Sequence, residues 1–258
     1  MKENCCSGSV DMKQIVKESY GKRWAGEERC CDEPEDTLST VHDALMSELS
    51  PRAGMKVLDV GSGTGDTVLE IARKVGPSGK AVGIDFTEEG TAKARKKAQG
   101  SGLGRIAEFR LAEAEKLPFD DETFDAVVSE CVVCLTADKQ KVLAEKVRVL
   151  KPGGRVIMHD VISWAPMPEA VQKDPRLYCG CIGGAVGMKD YKRMMEKAGL
   201  VDIKVADHSN QIRKHLSAGI MSAALELPKN DKAFDEIVDF LRKDGIGYAL
   251  FVGTKPKN

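Results

Sequence analysis

Cysteine is the residue type whose spacing in this chain points most directly to chemistry. The 258-residue sequence has eight cysteines, and all of them fall in four close pairs. Thiolates are the ligands that soft metals and metalloids prefer, so this clustering favours a soft-ion site over eight scattered buried cysteines. Two such pairs brought together could instead hold zinc. The pairs are Cys5 and Cys6, Cys30 and Cys31, Cys131 and Cys134, and Cys179 and Cys181.

A glycine-rich loop is the second motif with chemical meaning. The segment VLDVGSGTG, residues 57–65, follows a predicted strand and opens a predicted helix. Glycines at such a position allow a tight turn and let a ligand approach the backbone. Asp85 ends the next predicted strand about 20 residues later, where a carboxylate that holds ribose hydroxyls belongs. A plain turn between a strand and a helix could carry the same glycines, but the combination predicts a nucleotide-like cofactor.

The composition limits the class of protein. Lys and Arg number 39 against 40 Asp and Glu, which gives a formal net charge of −1. This balance argues against a dedicated nucleic-acid binder and against a polybasic membrane anchor. No apolar run approaches the roughly 18 residues of a membrane span, and residues 1–12 contain no apolar signal region. We therefore expect a cytoplasmic protein whose thiols stay reduced.

Hydrophobic periodicity places these motifs on an alternating α/β framework. The alternation through the first five strands predicts a seven-stranded, mostly parallel sheet with helices on both faces. The last two strands are expected to pair antiparallel at one edge, and residues 151–154 to form a turn. The predicted strands span 55–60, 80–85, 106–111, 124–129, 155–161, 201–206 and 246–253, and the helices 10–20, 37–49, 67–75, 88–99, 137–150, 188–199 and 234–243.

Four segments together resemble the class I S-adenosylmethionine (SAM) methyltransferases. DVGSGTG, GIDFT, AEKLPFDDETFDAVVSE and RVLKPGGRV occur in the order and near the spacing of that family, over residues 55–161. The resemblance implies a Rossmann-like domain that binds SAM, with the loop glycines facing the methionine half, Asp85 at the ribose, and Ala114 and Glu115 at the adenine. The cofactor-binding residues that it implies are Asp59, Gly61, Ser62, Gly63, Gly65, Asp85, Phe86, Ala114, Glu115 and Ser129.

The contexts of two cysteines are similar, more narrowly, to those of the arsenite methyltransferases. The matching segments are SECV at residues 129–132, Asp138-Lys139 at the next helix start, and CIGGA at residues 181–185. Glu130 and Cys134 each stand where that family usually has asparagine. The resemblance implies that Cys131 and Cys181 bind arsenic(III), that Cys31 or Cys30 supplies the third thiol, and that Tyr20 of a Tyr-Gly motif contacts the cofactor.

That family's chemistry would follow from thiolate ligation. Arsenic(III) held by three sulfurs keeps a lone pair that can attack the sulfonium methyl, so no general base is required. The oxidised product needs electrons from these thiols or from a reductant such as thioredoxin or glutathione. The expected organisation is a cysteine-bearing lid segment over residues 1–50 and a SAM-binding domain over 51–258, with an arsenical-binding insertion at about 162–187.

Two other functions fit the same residues. The chain could methylate another small acceptor, such as a thiol, a selenium compound or a natural product, with structural cysteines. It could also be a zinc- or metalloid-binding protein that retains the SAM fold. The four histidines stand isolated in the sequence and predict structural or surface roles. For arsenic methylation the expected partners are a small-molecule substrate, arsenite or its thiol conjugates, and a reductant protein, without nucleic acid or membrane.

Overall fold

The computed structural model describes residues 11–26, 35–225 and 232–257, without the side chains of 35–40, 212–216, 222–224 and 233. The cysteines at positions 5, 6, 30 and 31 lie outside these residues. Eight strands are described: β1 (Lys56–Val60), β2 (Lys80–Asp85), β3 (Ala107–Leu111), β4 (Phe124–Glu130), β5 (Leu150–Ser163), β6 (Val186–Gly187), β7 (Val201–Asp207) and β8 (Ile246–Thr254).

The described strands form one sheet. Its main path runs β3-β2-β1-β4-β5-β8-β7. The first five strands pair in parallel, and β8 runs antiparallel between β5 and β7. This arrangement confirms the predicted α/β fold with a mostly parallel sheet and an antiparallel edge. Seven strands make the path, as predicted, and the two-residue β6 adds an eighth strand beside β5 that the periodicity did not indicate.

Helices connect the parallel strands and carry the segments on either side of them. The predicted helices are present, and the structure adds three more: α6 and α7, of five residues each, and the longer α9. The bounds are α1 (Met12–Ala25), α2 (Glu35–Leu49), α3 (Asp66–Val75), α4 (Glu88–Gly100), α5 (Lys139–Val149), α6 (Glu169–Lys173), α7 (Pro175–Cys179), α8 (Met188–Lys197), α9 (Ser209–Ala224) and α10 (Lys232–Arg242).

Helix α1 is longer than the periodicity predicts, and its two ends have recognisable caps. Asp11 accepts hydrogen bonds from the backbone N–H groups of Lys13 and Gln14, at 3.1 and 3.3 Å, which satisfies donors that the first turn leaves free. The helix continues past Tyr20 and ends at Gly26, whose φ of 88° is the left-handed conformation typical of a helix end. The extra turn matters because it carries Trp24 to the candidate site.

The turn predicted over residues 151–154 is instead part of β5. The pairing with β4 steps from Phe124–Leu150 to Ala126–Arg155, so the residues between them form a bulge rather than a loop between elements. Gly153 lies within the bulge at φ 78° and donates its N–H to the Lys255 carbonyl at 2.9 Å. The Pro-Gly-Gly motif does mark an irregular backbone, but β5 remains paired with β4 on both sides of it.

Buried side chains pack on both faces of the sheet. Neighbouring strand residues point to opposite faces, so Val57 packs with α2 and α3 while Leu58 packs with α5 and α8. A third buried cluster lies around the carboxyl end of β5 and contains the thiols of Cys134 and Cys181 with Tyr248. The sheet therefore fixes the positions from which the candidate site is built.

Candidate active site

The glycine loop lies between the end of β1 and the start of α3. Gly61, Gly63 and Gly65 have φ values of 80°, 50° and 85°, a region that other residues rarely adopt. The N–H groups of Gly61 and Ser62 both donate to the Ile84 carbonyl at 2.8 Å, which ties the loop to β2. A side chain at Gly61 would collide with Val132, so this loop touches the segment that follows β4.

The Asp85 side chain fixes the same loop by hydrogen bonds. One carboxylate oxygen accepts the N–H of Gly63 at 2.9 Å, and the other accepts the N–H and the hydroxyl of Thr87 at 2.9 and 2.6 Å. The side chain is 6% exposed, at the carboxyl end of β2 and beside Phe86. A carboxylate oxygen has more than one lone pair, so these contacts leave acceptor capacity for the ribose hydroxyls that the family resemblance implies.

Three carboxyl groups lie close together in this region. Burial, together with the nearby carboxylates of Glu130 and Asp85, raises the pKa of Asp59 to about 8 while Lys146 opposes them, so Asp59 is mostly protonated at neutral pH. Lys146 is fully buried, and burial lowers its pKa to about 8. The carboxylates of Asp85 and Glu130 suit a ligand with a sulfonium and an ammonium group, which SAM has.

Two of the predicted cofactor residues have partners that bear on their roles. Ser129 is fully buried, and its hydroxyl accepts a hydrogen bond from the Lys146 ammonium at 2.5 Å. Glu115 follows β3 and lies 3.7 Å from the ammonium of Lys13, which also pairs with Glu113 at 2.8 Å. Ala114 packs against the core between these two carboxylates. Lys13 belongs to α1, so this helix crosses the predicted adenine side of the site.

Cys131 and Cys181 meet at the carboxyl ends of β4 and β5. The thiol of Cys181 donates to the carbonyl of Cys131 at 3.6 Å, and the Cys131 sulfur is hydrogen-bonded to the Tyr248 hydroxyl at 3.3 Å. Both cysteines have positive φ, 52° and 67°. Residues other than glycine carry such angles at a cost, and they often do so at functional sites. The pair that the family resemblance singled out is thus brought together, although 50 residues separate the two in sequence.

Cys134 is a third thiol at the same place. Its N–H donates to the buried carboxylate of Asp160 at 3.1 Å, and its thiol interacts with that of Cys181. Burial raises the pKa of Cys134 to about 12. The pKa of Cys131 is raised well above its usual range, first by the Cys181 thiol and then by burial. Cys131 and Cys134 therefore hold their protons at neutral pH until a ligand displaces them.

Helix α1 spans both halves of the site. The Tyr20 hydroxyl donates to the Cys179 carbonyl at 3.2 Å and lies 3.8 Å from the Cys181 sulfur. Tyr20 was predicted to contact the cofactor, and the structure places its hydroxyl on the thiol side. Trp24, one turn later, packs on Gly63 of the glycine loop. No sequence motif marks Trp24, Tyr248 or Lys146, because only the folded chain brings them to these positions.

Histidines that stand isolated in the sequence have side-chain partners in the folded chain. His42 lies between the carboxylates of Glu130 and Glu70, at 3.0 Å from each. The hydrogen bond to Glu130 is the main cause that raises its pKa to about 9. His159 and His208 are hydrogen-bonded at 3.0 Å. The sequence alone could not predict the His42 contacts, since α2, α3 and β4 are distant along the chain.

The zinc alternative requires a cluster of metal-ligating side chains. Within the described residues, no group of three or more His, Cys, Asp or Glu side chains is arranged to hold a metal ion. In the same part of the chain, no helix is long and apolar enough to cross a membrane.

Comparison with known proteins identifies the class. A family model described as a methyltransferase domain matches residues 51–199, so the chain belongs to that family. An arsenite methyltransferase of Halobacterium salinarum is 39% identical over 184 residues, which cover 68% of this chain but only 47% of that relative's length. A ubiquinone/menaquinone biosynthesis C-methyltransferase of Geobacter sulfurreducens is 44% identical over 105 residues, 41% of each chain.

The solved structures agree on the fold. An arsenic(III) S-adenosylmethionine methyltransferase of Chlamydomonas reinhardtii has a TM-score of 0.62 at 23% identity, covering 97% of this chain and 75% of that one. The predicted class is confirmed: residues 51–199 form a methyltransferase domain of the class I SAM-dependent type. The glycine loop, the carboxylate at the end of β2 and the neighbouring Glu130 carboxylate fit SAM as the methyl donor.

Proposed function

We propose that this protein methylates trivalent arsenic with SAM, in the cytoplasm, as a step in arsenic detoxification. The observation that carries the proposal is the contact between the two halves of the site. Gly61 of the cofactor loop packs against Val132, the neighbour of Cys131, and Cys131 is paired with Cys181. Thiols beside a methyl donor suit an acceptor that binds sulfur. The similarity to an arsenite methyltransferase over 68% of the chain supports the same acceptor.

Within this proposal, Cys131 and Cys181 are two of the arsenic ligands, and Cys31 or Cys30 supplies the third. Residues 1–50 would then act as a lid that carries a thiol to the pair, and residues 162–187 hold the arsenical. The cofactor set is the one implied by the family resemblance, with Asp85 at the ribose. Tyr20 joins the two halves because its hydroxyl lies beside Cys181.

The proposed methyl transfer does not require a general acid or a general base. SAM supplies the methyl group as an electrophilic sulfonium substituent. The thiols must lose protons to bind arsenic, so affinity is expected to rise with pH. Positioning is the main contribution that the chain makes, because the reaction is a displacement at carbon. Arsenic that gives up its lone pair becomes pentavalent, and a thiol reductant such as thioredoxin or glutathione returns the electrons.

A second candidate is methylation of another small acceptor. The similarity to a C-methyltransferase of quinone biosynthesis favours it, since the printed name of that relative refers to quinones and not to arsenic. The two candidates differ in what the thiols do. They bind the acceptor in the first case and are structural in the second.

The test is an incubation of the purified protein with SAM, arsenite and excess thiol, followed by chromatographic separation of the arsenic species. We expect methylated arsenic from the unaltered protein and none from Cys131→Ser or Cys181→Ser. Cys179→Ser removes a neighbouring thiol outside the proposed ligand set and serves as the matched control, which is expected to retain activity. Calorimetry with S-adenosylhomocysteine checks that each variant still binds the cofactor product. If the unaltered protein binds S-adenosylhomocysteine but produces no methylated arsenic, the arsenic proposal is contradicted.

A further inference from the structure

Trp24 lies on the cofactor loop although no sequence motif includes it. Its ring atom Cζ2 is 2.9 Å from the position that a Cβ on Gly63 would take. On the other side, Cδ1 is 3.0 Å from the corresponding position on Gly90, near the start of α4. The indole therefore covers the groove between the glycine loop and α4. Any residue larger than glycine at position 63 would have to displace it.

The contact between α1 and α4 holds the indole there. One turn before Trp24, Gly21 faces Glu89 so closely that a Cβ would lie 3.2 Å from its carboxylate. The Arg23 guanidinium lies over the Trp24 ring at 5.3 Å and over the Tyr20 ring at 5.7 Å. Such cation–π contacts favour one ring orientation. The position of Trp24 is thus set by neighbours on both of its sides.

Among the residues that the structure describes, the Trp24 indole N–H finds no hydrogen-bond partner. Nε1 of Trp24 is buried, and within the described residues no acceptor lies in reach of it. Buried donors in folded proteins nearly always find an acceptor, because leaving one unsatisfied costs the full desolvation of the group. An indole nitrogen can only donate. A ligand that supplies an acceptor at this point would remove that cost.

The charges around the loop indicate which acceptor it is. Asp85 and Glu130 place carboxylates on the sheet side of the site, next to Asp59, which suits the cationic groups of SAM. The cofactor's own carboxylate is repelled by that side and needs donors from another element. Helix α1 offers them, since it presents the Trp24 N–H with the Arg23 guanidinium beside it.

We propose that Trp24 is a cofactor-binding residue whose Nε1–H donates a hydrogen bond to the carboxylate of the methionine half of SAM. Its ring at the same time covers the glycine loop. The inference rests on SAM dependence and not on the identity of the methyl acceptor, so it stands or falls separately from arsenic methylation.

Calorimetry with two ligands tests the assignment. S-adenosylhomocysteine carries the carboxylate, whereas methylthioadenosine keeps the nucleoside and sulfur but lacks the amino acid part. Trp24→Phe keeps an aromatic ring and removes the N–H, so we expect affinity for S-adenosylhomocysteine to fall about tenfold, as for a hydrogen bond to a charged group. Affinity for methylthioadenosine is expected to change less than about twofold. Trp164→Phe, at an exposed tryptophan on the Ser209 side, is the matched control and is expected to change neither.

Tryptophan fluorescence gives a second readout that does not depend on the folding of the Trp24 variant. The chain has two tryptophans, so Trp164→Phe leaves Trp24 as the only reporter. Adding S-adenosylhomocysteine to that protein is expected to change the emission strongly, and methylthioadenosine to change it less. Equal affinity losses for both ligands in Trp24→Phe, or an emission that neither ligand alters, would overturn the proposal.

Discussion

The Cys131 sulfur is held by a tyrosine from the far end of the chain. Tyr248 is 2% exposed, and its ring stacks on His159 with a centroid distance of 5.1 Å and an interplanar angle of 19°. Burial raises the pKa of the Tyr248 hydroxyl well above its usual range, so the group stays protonated and can donate to a thiolate. The hydroxyl opposes the effects that raise the pKa of Cys131, of which the Cys181 thiol is the largest.

Tyr248→Phe is therefore expected to weaken arsenite binding without removing a ligand. A thiolate that loses a hydrogen-bond donor in a buried site becomes harder to form, and we expect about a tenfold loss of affinity at pH 8. Raising the pH should recover part of the loss, because deprotonation then requires less help. Calorimetric titration with arsenite at pH 7, 8 and 9 measures both effects.

Tyr191→Phe provides the comparison for that variant. It removes another buried hydroxyl, from α8, which interacts with the Asp160 carboxylate and is not the hydroxyl bonded to Cys131. Its arsenite affinity is expected to stay within about twofold of the unaltered protein. If both variants lose affinity to the same extent at every pH, the contact between Tyr248 and Cys131 has no special role.

At the scale of elements, the sequence predicts best where a local pattern is decisive. Strand β2 has the predicted bounds, and α3 differs by one residue, because buried strands and amphipathic helices carry strong periodicity. Helices α6 and α7 have only five residues, too few to show a helical period. The pairing of Cys131 with Cys181 was implied by a family resemblance, whereas Tyr248 lies 117 residues from Cys131 and reaches it only through the antiparallel pairing of β8 with β5.

The segment after Cys181 shows how closely two elements of the site are packed. Gly184 lies against the carbonyl of Cys134, and a Cβ would collide with it. We expect Gly184→Ala to destabilise the protein by about 1–3 kcal/mol, as overpacking usually does, and to lower arsenite affinity by moving Cys181 away from Cys131. Thermal unfolding and arsenite calorimetry measure the two effects, while binding of S-adenosylhomocysteine should persist because the glycine loop is untouched.

Gly100→Ala is the control for this substitution. Gly100 ends α4, and a Cβ there meets nothing within 4 Å. Alanine favours a helix over glycine, so the control is expected to be neutral or slightly stabilising. Gly184→Ala with unchanged stability and unchanged arsenite affinity would show that the thiol loops accommodate the added methyl group.

At the scale of the whole molecule, one histidine links three elements around the site. His42 of α2 contacts Glu70 of α3 and Glu130 at the end of β4, each at 3.0 Å. The side chains are between 26% and 35% exposed, so solvent screens the pairs only in part. Because α2 also packs Leu45 and Leu49 into the core, this contact fastens the helix to the sheet edge where Cys131 follows Glu130.

The raised pKa of His42 makes that link depend on pH. Its value rises from 6.5 to about 9 on folding, with the hydrogen bond to Glu130 as the main cause. A group whose pKa is raised in the folded state contributes all of its stabilisation below the unfolded value and loses it as the pH passes the folded value. The contribution is therefore complete at pH 6, declines between about pH 6.5 and 9, and is absent at pH 10.

His42→Gln tests this dependence, since glutamine can bond to a carboxylate but carries no charge. The free energy of unfolding, measured with urea at pH 6, 8 and 10, should be about 1–2 kcal/mol higher for the unaltered protein at pH 6, after allowance for screening at part-exposed positions. The difference should shrink at pH 8 and vanish at pH 10, while titrations common to both proteins cancel. A constant difference across this range would mean that His42 stabilises the fold by packing alone, and α2 would then be held to the sheet without the ionic contact.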